Sequence, residues 1–138
     1  MLKETINYTD FDGNDRTRVA YFHISKPELM ELEASEKEGF SNILREIVET
    51  RDLQGLLSNF KKIIHLAYGV KSPDGDRFIK NEEVWEEFSQ SGAYEELYMK
   101  LATNSDYASH FVNEIIPDIN EIIEQIKKNN GGELTIVP

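Results

Sequence analysis

The sequence predicts a mainly α-helical fold, a compact helical domain with an N-terminal β-hairpin, a small β-arm around residues 70–79, and a C-terminal helix broken off at Pro117. Alternation of apolar and polar residues, the period of a strand, stops near Ile24. Apolar steps of three and four residues, the period of a helix, dominate from there onward. Since 138 residues is the size of one domain, we predict a single domain over 1–117 and a separate helix with a short tail over 118–138.

Two alternating segments at the N-terminus predict the hairpin. Leu2, Ile6 and Tyr8 fall on one face of the first segment. An Asp-Gly turn at Gly13 leads to the second segment, residues 16–24, which is rich in β-branched and aromatic residues. Because an isolated hairpin is only marginally stable in water, its apolar face should lie on helices or pair with another chain.

Capping residues mark where helices should begin. Ser25 stands three residues before Glu28, with Pro27 between them, which is the spacing of a capping box. Asn81 is placed to cap a later helix, and Asn104 or Ser105 to open another. The residues predicted to face inward are Leu29, Met30 and Leu32 in the first helix. In a second helix they are Ile43, Leu44, Ile47 and Val48. In the helix capped by Asn81 they are Val84, Trp85 and Phe88.

The clearest helical pattern runs from Leu53 to Tyr68, and Gly69 is well placed as its C-terminal stop. Turn residues follow at Ser72-Pro73-Asp74-Gly75. Apolar residues on both sides of this turn, Val70 before it and Phe78-Ile79 after it, predict the two-stranded arm.

Two sets of apolar residues are candidates for a surface that binds a partner or another copy of the chain. Tyr94 and Tyr98 are four residues apart and share a helix face, although ordinary core packing is the preferred explanation for most such residues. Beyond Pro117, which interrupts a helical pattern, an apolar stripe is formed by Ile119, Ile122, Ile123 and Ile126. That stripe either folds back onto the domain or is buried in another subunit, and the sequence leaves both possibilities open.

Composition limits the partners. The formal net charge of -11 repels a phosphate backbone, and no stripe of basic residues offsets it, so nucleic-acid binding is not expected. The chain has no cysteine, no apolar run long enough to cross a bilayer and no signal-peptide pattern, which predicts a soluble intracellular protein without membrane association.

The sequence contains no recognisable catalytic or metal-binding pattern. The segment Asp10–Asp15 resembles a calcium loop, but its glycine is fourth instead of sixth and Tyr21 occupies the twelfth position. The three histidines lack the paired spacing of a zinc site, and His65 is best interpreted as a half-buried structural residue. Acidic pairs such as Glu86-Glu87 are more typical of a solvated helix face than of acid–base catalysis. We therefore predict no enzyme activity, cofactor or metal.

Several motifs stand out by their order and spacing along the chain. They begin with TINYTDFDG at Thr5–Gly13 and FHISKPEL at Phe22–Leu29. Tyr-Gly and DGDRFIK follow within Tyr68–Lys80, then EFSQ at Glu87–Gln90 and FVNEIIP at Phe111–Pro117. In order and spacing these motifs resemble the short tail assembly chaperones of long-tailed bacteriophages. The resemblance covers most of the chain before the last predicted helix, where it fades.

This resemblance implies a mainly helical, self-associating, non-enzymatic protein of tail morphogenesis. Such chaperones coat the long, hydrophobic tape measure protein, help to bring in tail tube subunits, and are shed in the host cytoplasm, so the mature virion lacks them. Two alternatives remain open at this point. One is a small helical adaptor or inhibitor that binds a single host protein one-to-one, and the other is a small metal-dependent hydrolase that uses the acidic pairs.

Overall fold

The structure, a computed structural model, describes residues 1–35 and 53–115. In these ranges the chain forms the strands β1 (Leu2–Thr9), β2 (Asp15–Phe22), β3 (Tyr68–Lys71) and β4 (Phe78–Ile79). The helices are α1 (Lys26–Ser35), α2 (Leu53–Ala67), α3 (Glu82–Ser89), α4 (Gly92–Thr103) and α5 (Ser105–Ile115). The second predicted helix, with Ile43 to Val48, and all predictions beyond Ile115 lie outside the described residues.

The four strands form one antiparallel sheet in the order β1-β2-β3-β4. β1 and β2 are the predicted hairpin, in register from Leu2 opposite Phe22 to Thr9 opposite Asp15. The prediction of a mainly α fold is wrong, because the hairpin and the arm join into this sheet and the fold is a mixture of helices and strands. The joining contact consists of two residue pairs between β2 and β3, which are far apart in sequence, so no local pattern reveals it.

The end of α2 differs from the prediction as well. The helix stops at Ala67, and Tyr68, predicted to be its last apolar residue, opens strand β3. Gly69 is therefore not a helix stop but a strand residue, paired with Tyr21 of β2. A Cβ at Gly69 would lie 2.6 Å from the ring of Phe78. The glycine thus lets a ring from β4 pack directly onto the backbone of β3.

The capping box at the start of α1 is confirmed. The amide of Ser25 donates to Glu28 Oε1 at 3.0 Å, and the amide of Glu28 donates to Ser25 Oγ at 3.3 Å. Of the residues predicted to face inward, Leu29 is fully buried and Leu32 is half-buried. The prediction for Met30 is wrong, because its side chain is 58% exposed.

The core lies between the helices and the face of the sheet that carries Leu2 and Ile6. Both side chains are buried, and Tyr8 is half-buried against the same core, so the predicted apolar face of the hairpin is confirmed. Phe22 is at the centre, with its ring centroid 5.2 Å from that of Phe111 in α5 and 6.0 Å from that of Phe88 in α3. No helix in residues 1–35 or 53–115 is long and apolar enough to span a membrane.

Candidate partner-binding surface

Rings from α2, α3 and α4 meet where the three helices come together. The imidazole of His65 stacks on the indole of Trp85, with centroids 4.2 Å apart and planes 9° from parallel. Tyr94 meets Trp85 edge-on at 5.7 Å, and Tyr98 lies 6.0 Å from Tyr94. Trp85 is buried, both tyrosines are half-buried and His65 is exposed. We call these four residues the aromatic surface.

The two tyrosines lie at the boundary between the core and the solvent. On its inner side Tyr94 meets the ring of Phe88 at 6.0 Å, and Tyr98 meets the ring of Phe60 at 6.4 Å. Burial, together with the neighbouring Tyr98, raises the pKa of Tyr94, so its phenol stays neutral under physiological conditions. The arrangement offers a partner neutral, rigid aromatic contacts that are already held in place.

Local hydrogen bonds and close packing define the two ends of α3 and the start of α4. Asn81 Oδ1 accepts a hydrogen bond of 2.8 Å from the amide of Val84, which confirms the predicted cap of α3. At the other end of α3, Ser91 Oγ donates to the carbonyl oxygen of Phe88 at 2.7 Å. α4 then begins at Gly92, where a Cβ would lie 2.9 Å from the carbonyl oxygen of Thr9 in β1. This close approach holds the start of α4 against the sheet.

Lys80 aligns α2 with α3. Its ammonium group donates to the carbonyl oxygen of Leu66 at 2.6 Å, to that of His23 at 2.7 Å and to the Glu28 carboxylate at 2.9 and 3.1 Å. Leu66 follows His65, and Lys80 precedes the cap of the helix that carries Trp85. The lysine therefore links the residue after His65 to the segment that leads into the helix of Trp85.

The charges around Lys80 shift two pKa values. Burial acts to raise the pKa of Glu28, but hydrogen bonds from Lys80 and the Ser25 amide outweigh it and the pKa is lowered. The pKa of His23 is lowered by burial and by the positive charges of the N-terminus and Lys80. Lys80 contributes to both shifts, but burial is the largest cause of the lowered pKa of His23.

A second cation fixes α3 to the sheet. The guanidinium of Arg18 in β2 forms hydrogen bonds with both carboxylate oxygens of Glu87 and, at 3.0 Å, with the hydroxyl of Tyr68. It also lies 5.2 Å from the ring centroid of Phe88. Burial opposes the charge of Arg18, yet the bonds to Glu87 and Tyr68 outweigh it and raise its pKa above the ordinary value.

Three glutamates flank the aromatic surface. Helical geometry places Glu82 and Glu86 beside Trp85 on the flank away from Phe88, and Glu95 beside Tyr94. All three side chains are exposed, and none forms an ion pair with another described residue. The rim of the surface is therefore negatively charged.

A family model described as phage tail assembly chaperone matches residues 1–135. The chain belongs to the phage tail assembly chaperone family. No curated protein and no solved structure matches the sequence. A tail assembly chaperone acts during assembly in the host, and its family implies binding to other phage tail proteins. Chaperone families are not typically enzymatic.

The structure places two of the residues predicted for the binding surface of the chaperone. Tyr94 and Tyr98 lie side by side and partly exposed, on the same helix face as predicted. The other four, Ile119, Ile122, Ile123 and Ile126, lie outside the described residues.

Two members of the aromatic surface were not predicted as site residues. Trp85 was predicted to face inward, which is correct, but the pattern of its own helix does not show that His65 covers it. His65 is exposed and not half-buried as predicted. Its position one step off the apolar stripe of α2 was the only available signal.

The described part of the chaperone shows no arrangement typical of metal chemistry. No group of three or more histidine, aspartate or glutamate side chains in residues 1–35 or 53–115 is close enough to hold a metal ion. The glutamates of α3 instead lie along a solvated helix face.

Proposed function

We propose that this tail assembly chaperone binds and solubilises the tape measure protein and helps to recruit tail tube subunits during tail morphogenesis. The observation that carries the proposal is the family match over residues 1–135. The partly exposed aromatic surface supports it, because a long helical partner with apolar side chains needs an apolar surface to cover it. The net charge of -11 would keep such a complex soluble.

Two surfaces would share this task. Tyr94 and Tyr98 would contact the tape measure protein or another copy of the chaperone. The isoleucines of the C-terminal region would provide a second contact of the same kind, at Ile119, Ile122, Ile123 and Ile126. In this proposal residues 1–117 form the domain, and residues 118–138 form a separate helix and tail that reaches a neighbour.

Many weak sites along one ligand explain both coating and release. Copies of the chaperone bound side by side, as a homo-oligomer, would gain affinity through avidity without any single tight contact. Tube subunits could then displace the copies one after another in the host cytoplasm, which would leave the mature virion without the chaperone.

Co-expression with the tape measure protein of the same phage tests the proposal. We expect a soluble complex with many chaperone copies for each tape measure chain, measured by light scattering after size exclusion. An acidic globular protein of similar size and net charge serves as the control for non-specific solubilisation.

Two outcomes contradict the proposal. If the tape measure protein stays insoluble and the chaperone elutes alone, the proposed partner is wrong. If one chaperone copy binds each tape measure chain, the coating model is wrong and a one-to-one adaptor is favoured.

A further inference from the structure

We propose that the aromatic surface and its rim of Glu82, Glu86 and Glu95 form a docking site for a helix that carries lysine or arginine beside its apolar residues. The inference rests on the proposed function in one respect, because we take the tape measure protein to be the natural source of that helix.

The apolar part of the site is open to a ligand. Tyr94 and Tyr98 are partly exposed, and His65, which is exposed, stacks its imidazole on Trp85. Because their inner sides are packed on Phe60 and Phe88, these rings lose little conformational freedom when a partner binds. A helix laid across α3 and α4 would cover them with one apolar face.

The charge around these rings is strongly one-sided. α3 and α4 contain one basic residue, Lys100, and six acidic ones, which are Glu82, Glu83, Glu86, Glu87, Glu95 and Glu96. Lys100 is not available to the rim, because its ammonium lies 4.0 Å from the ring centroid of Tyr107 in α5. On α3 and α4 the uncompensated charges nearest the aromatic surface are therefore Glu82, Glu86 and Glu95.

The charge also indicates how the ligand would lie. On α2, Lys61 is exposed and precedes His65 by one helical turn, so the side of the site made by α2 is not acidic. The basic residues of the ligand should therefore lie over α3 and α4, and its neutral or acidic residues over α2.

Aromatic rings with carboxylates beside them suit a cationic helix for two reasons. Lysine and arginine bind favourably over tyrosine and tryptophan rings, as Lys71 already does over the ring of Tyr21 at 4.6 Å. Exposed carboxylates at the rim attract cations during association and repel acidic competitors. The site would thus select basic stretches of a long helical partner.

Trp85 makes the test specific to this site, because it is the only tryptophan in the chain. The full chain is titrated with two synthetic amphipathic helices that share a leucine face and differ in a lysine or a glutamate polar face. We expect saturable changes in Trp85 emission with the lysine peptide and none with the glutamate peptide. Equal responses to both peptides would overturn the proposal.

Two triple variants with the same net charge test the rim. E82Q/E86Q/E95Q removes the proposed contacts, whereas the control E83Q/E96Q/E114Q changes exposed glutamates on other helix faces. At low ionic strength we expect the first variant to bind the lysine peptide about tenfold more weakly and the control to change binding by less than about twofold. Equal losses in both variants would show an effect of net charge alone and would also overturn the proposal.

Peptides from the tape measure protein separate this inference from the proposed function. If they bind but the two triple variants bind them equally, the proposed function stands and the docking site is wrong. If the lysine peptide binds through the rim and no tape measure peptide binds, the docking chemistry stands and the tape measure protein is not its source.

Discussion

Gly69 lies where β3 is both paired with β2 and covered by a ring from β4. Its nearest contact is the ring of Phe78, at 2.6 Å from the position a Cβ would take. The glycine is not required for a left-handed backbone, since positive φ angles among the described glycines occur at Gly13 and Gly75. Space alone requires it at this position.

The variant Gly69→Ala should therefore displace the Phe78 ring. We expect the free energy of unfolding in urea to fall by about 1–3 kcal/mol, the range for overpacking a filled site. With leucine at position 78 there is room for the added methyl group. The difference in stability between G69A/F78L and F78L should therefore be smaller than the difference between G69A and the wild type. An alanine variant as stable as the wild type would show that the ring moves without cost.

The half-buried groups around Lys80 predict how stability depends on pH. In the folded protein the pKa of His23 is below its ordinary value of 6.5. As pH falls below 6.5, the unfolded chain therefore binds a proton at His23 more readily than the folded protein does, and the folded protein loses stability. Glu28 has a pKa below its ordinary 4.5, so its contribution is complete above that value and is lost as pH falls further through the folded pKa. The free energy of unfolding should therefore decline in two steps on acidification.

Urea unfolding measured across this pH range checks both steps. His23→Gln should lose the upper step and keep the lower one, and Glu28→Gln should do the reverse. A decline of unchanged shape in His23→Gln would assign the upper step to another group.

At the scale of single elements, α3 shows how a short helix is kept in place. Eight residues are too few for a helix that is stable by itself in water. Asn81 caps its first turn, and Glu87 on its outer side is bound by Arg18 of the sheet. The helix that carries Trp85 thus depends on contacts at both its end and its side.

Removal of the cap should loosen α3 selectively. We expect Asn81→Ala to lower the free energy of unfolding by about 1 kcal/mol, because an amide at the helix start loses its acceptor. Trp85 emission should change as well, since its helix would fray from the first turn. Asn81→Ser keeps an acceptor and is the matched control, and an equal loss in that variant would rule out the cap as the cause.

Structural features could be predicted from the sequence where they depend on residues close together in the chain. The caps at Ser25 and Asn81 act within three residues, and the turn at Gly13 joins adjacent strands, so each could be predicted. The face shared by Tyr94 and Tyr98 follows from the geometry of a single helix in the same way. Each of these signals can be read from neighbouring residues without knowledge of any tertiary contact.

Contacts between segments that are distant in sequence could not be predicted. The sheet joins through Tyr21 and Gly69, and nothing near either residue in sequence signals the other. The stack of His65 on Trp85 depends on the angle between α2 and α3, which Lys80 fixes through contacts with three separate segments. The pattern of a single helix contains no information about that angle.

At the scale of the whole molecule, the chain combines a net charge of -11 with a partly exposed aromatic surface. Charge of one sign keeps individual copies soluble and opposes their close approach. Any assembly of copies therefore needs apolar contacts strong enough to overcome the repulsion, and salt should favour it by screening.

Truncation tests whether the C-terminal isoleucines provide such contacts. We expect a chain of residues 1–117 to hold the tape measure protein less well or to lose self-association, as measured by light scattering after size exclusion. A full-length variant with serine at all four isoleucines separates loss of the apolar stripe from loss of chain length; the positions are Ile119, Ile122, Ile123 and Ile126. Retention of both properties in the truncated chain would show that these residues are dispensable.

The hydrogen bond from the amide of Ile24 to the carbonyl oxygen of Ile115, 3.0 Å long, has a consequence for synthesis on the ribosome. The hairpin leaves the ribosome before the helices, and the last residue of α5 that completes its surroundings follows many residues later. Contacts between residues this distant in sequence form late and slow the folding of a domain. Until the helices are in place, the apolar face around Leu2 and Ile6 is not fully covered and is open to aggregation. A nascent chain of this protein therefore needs, for a short time, the kind of protection it is proposed to give.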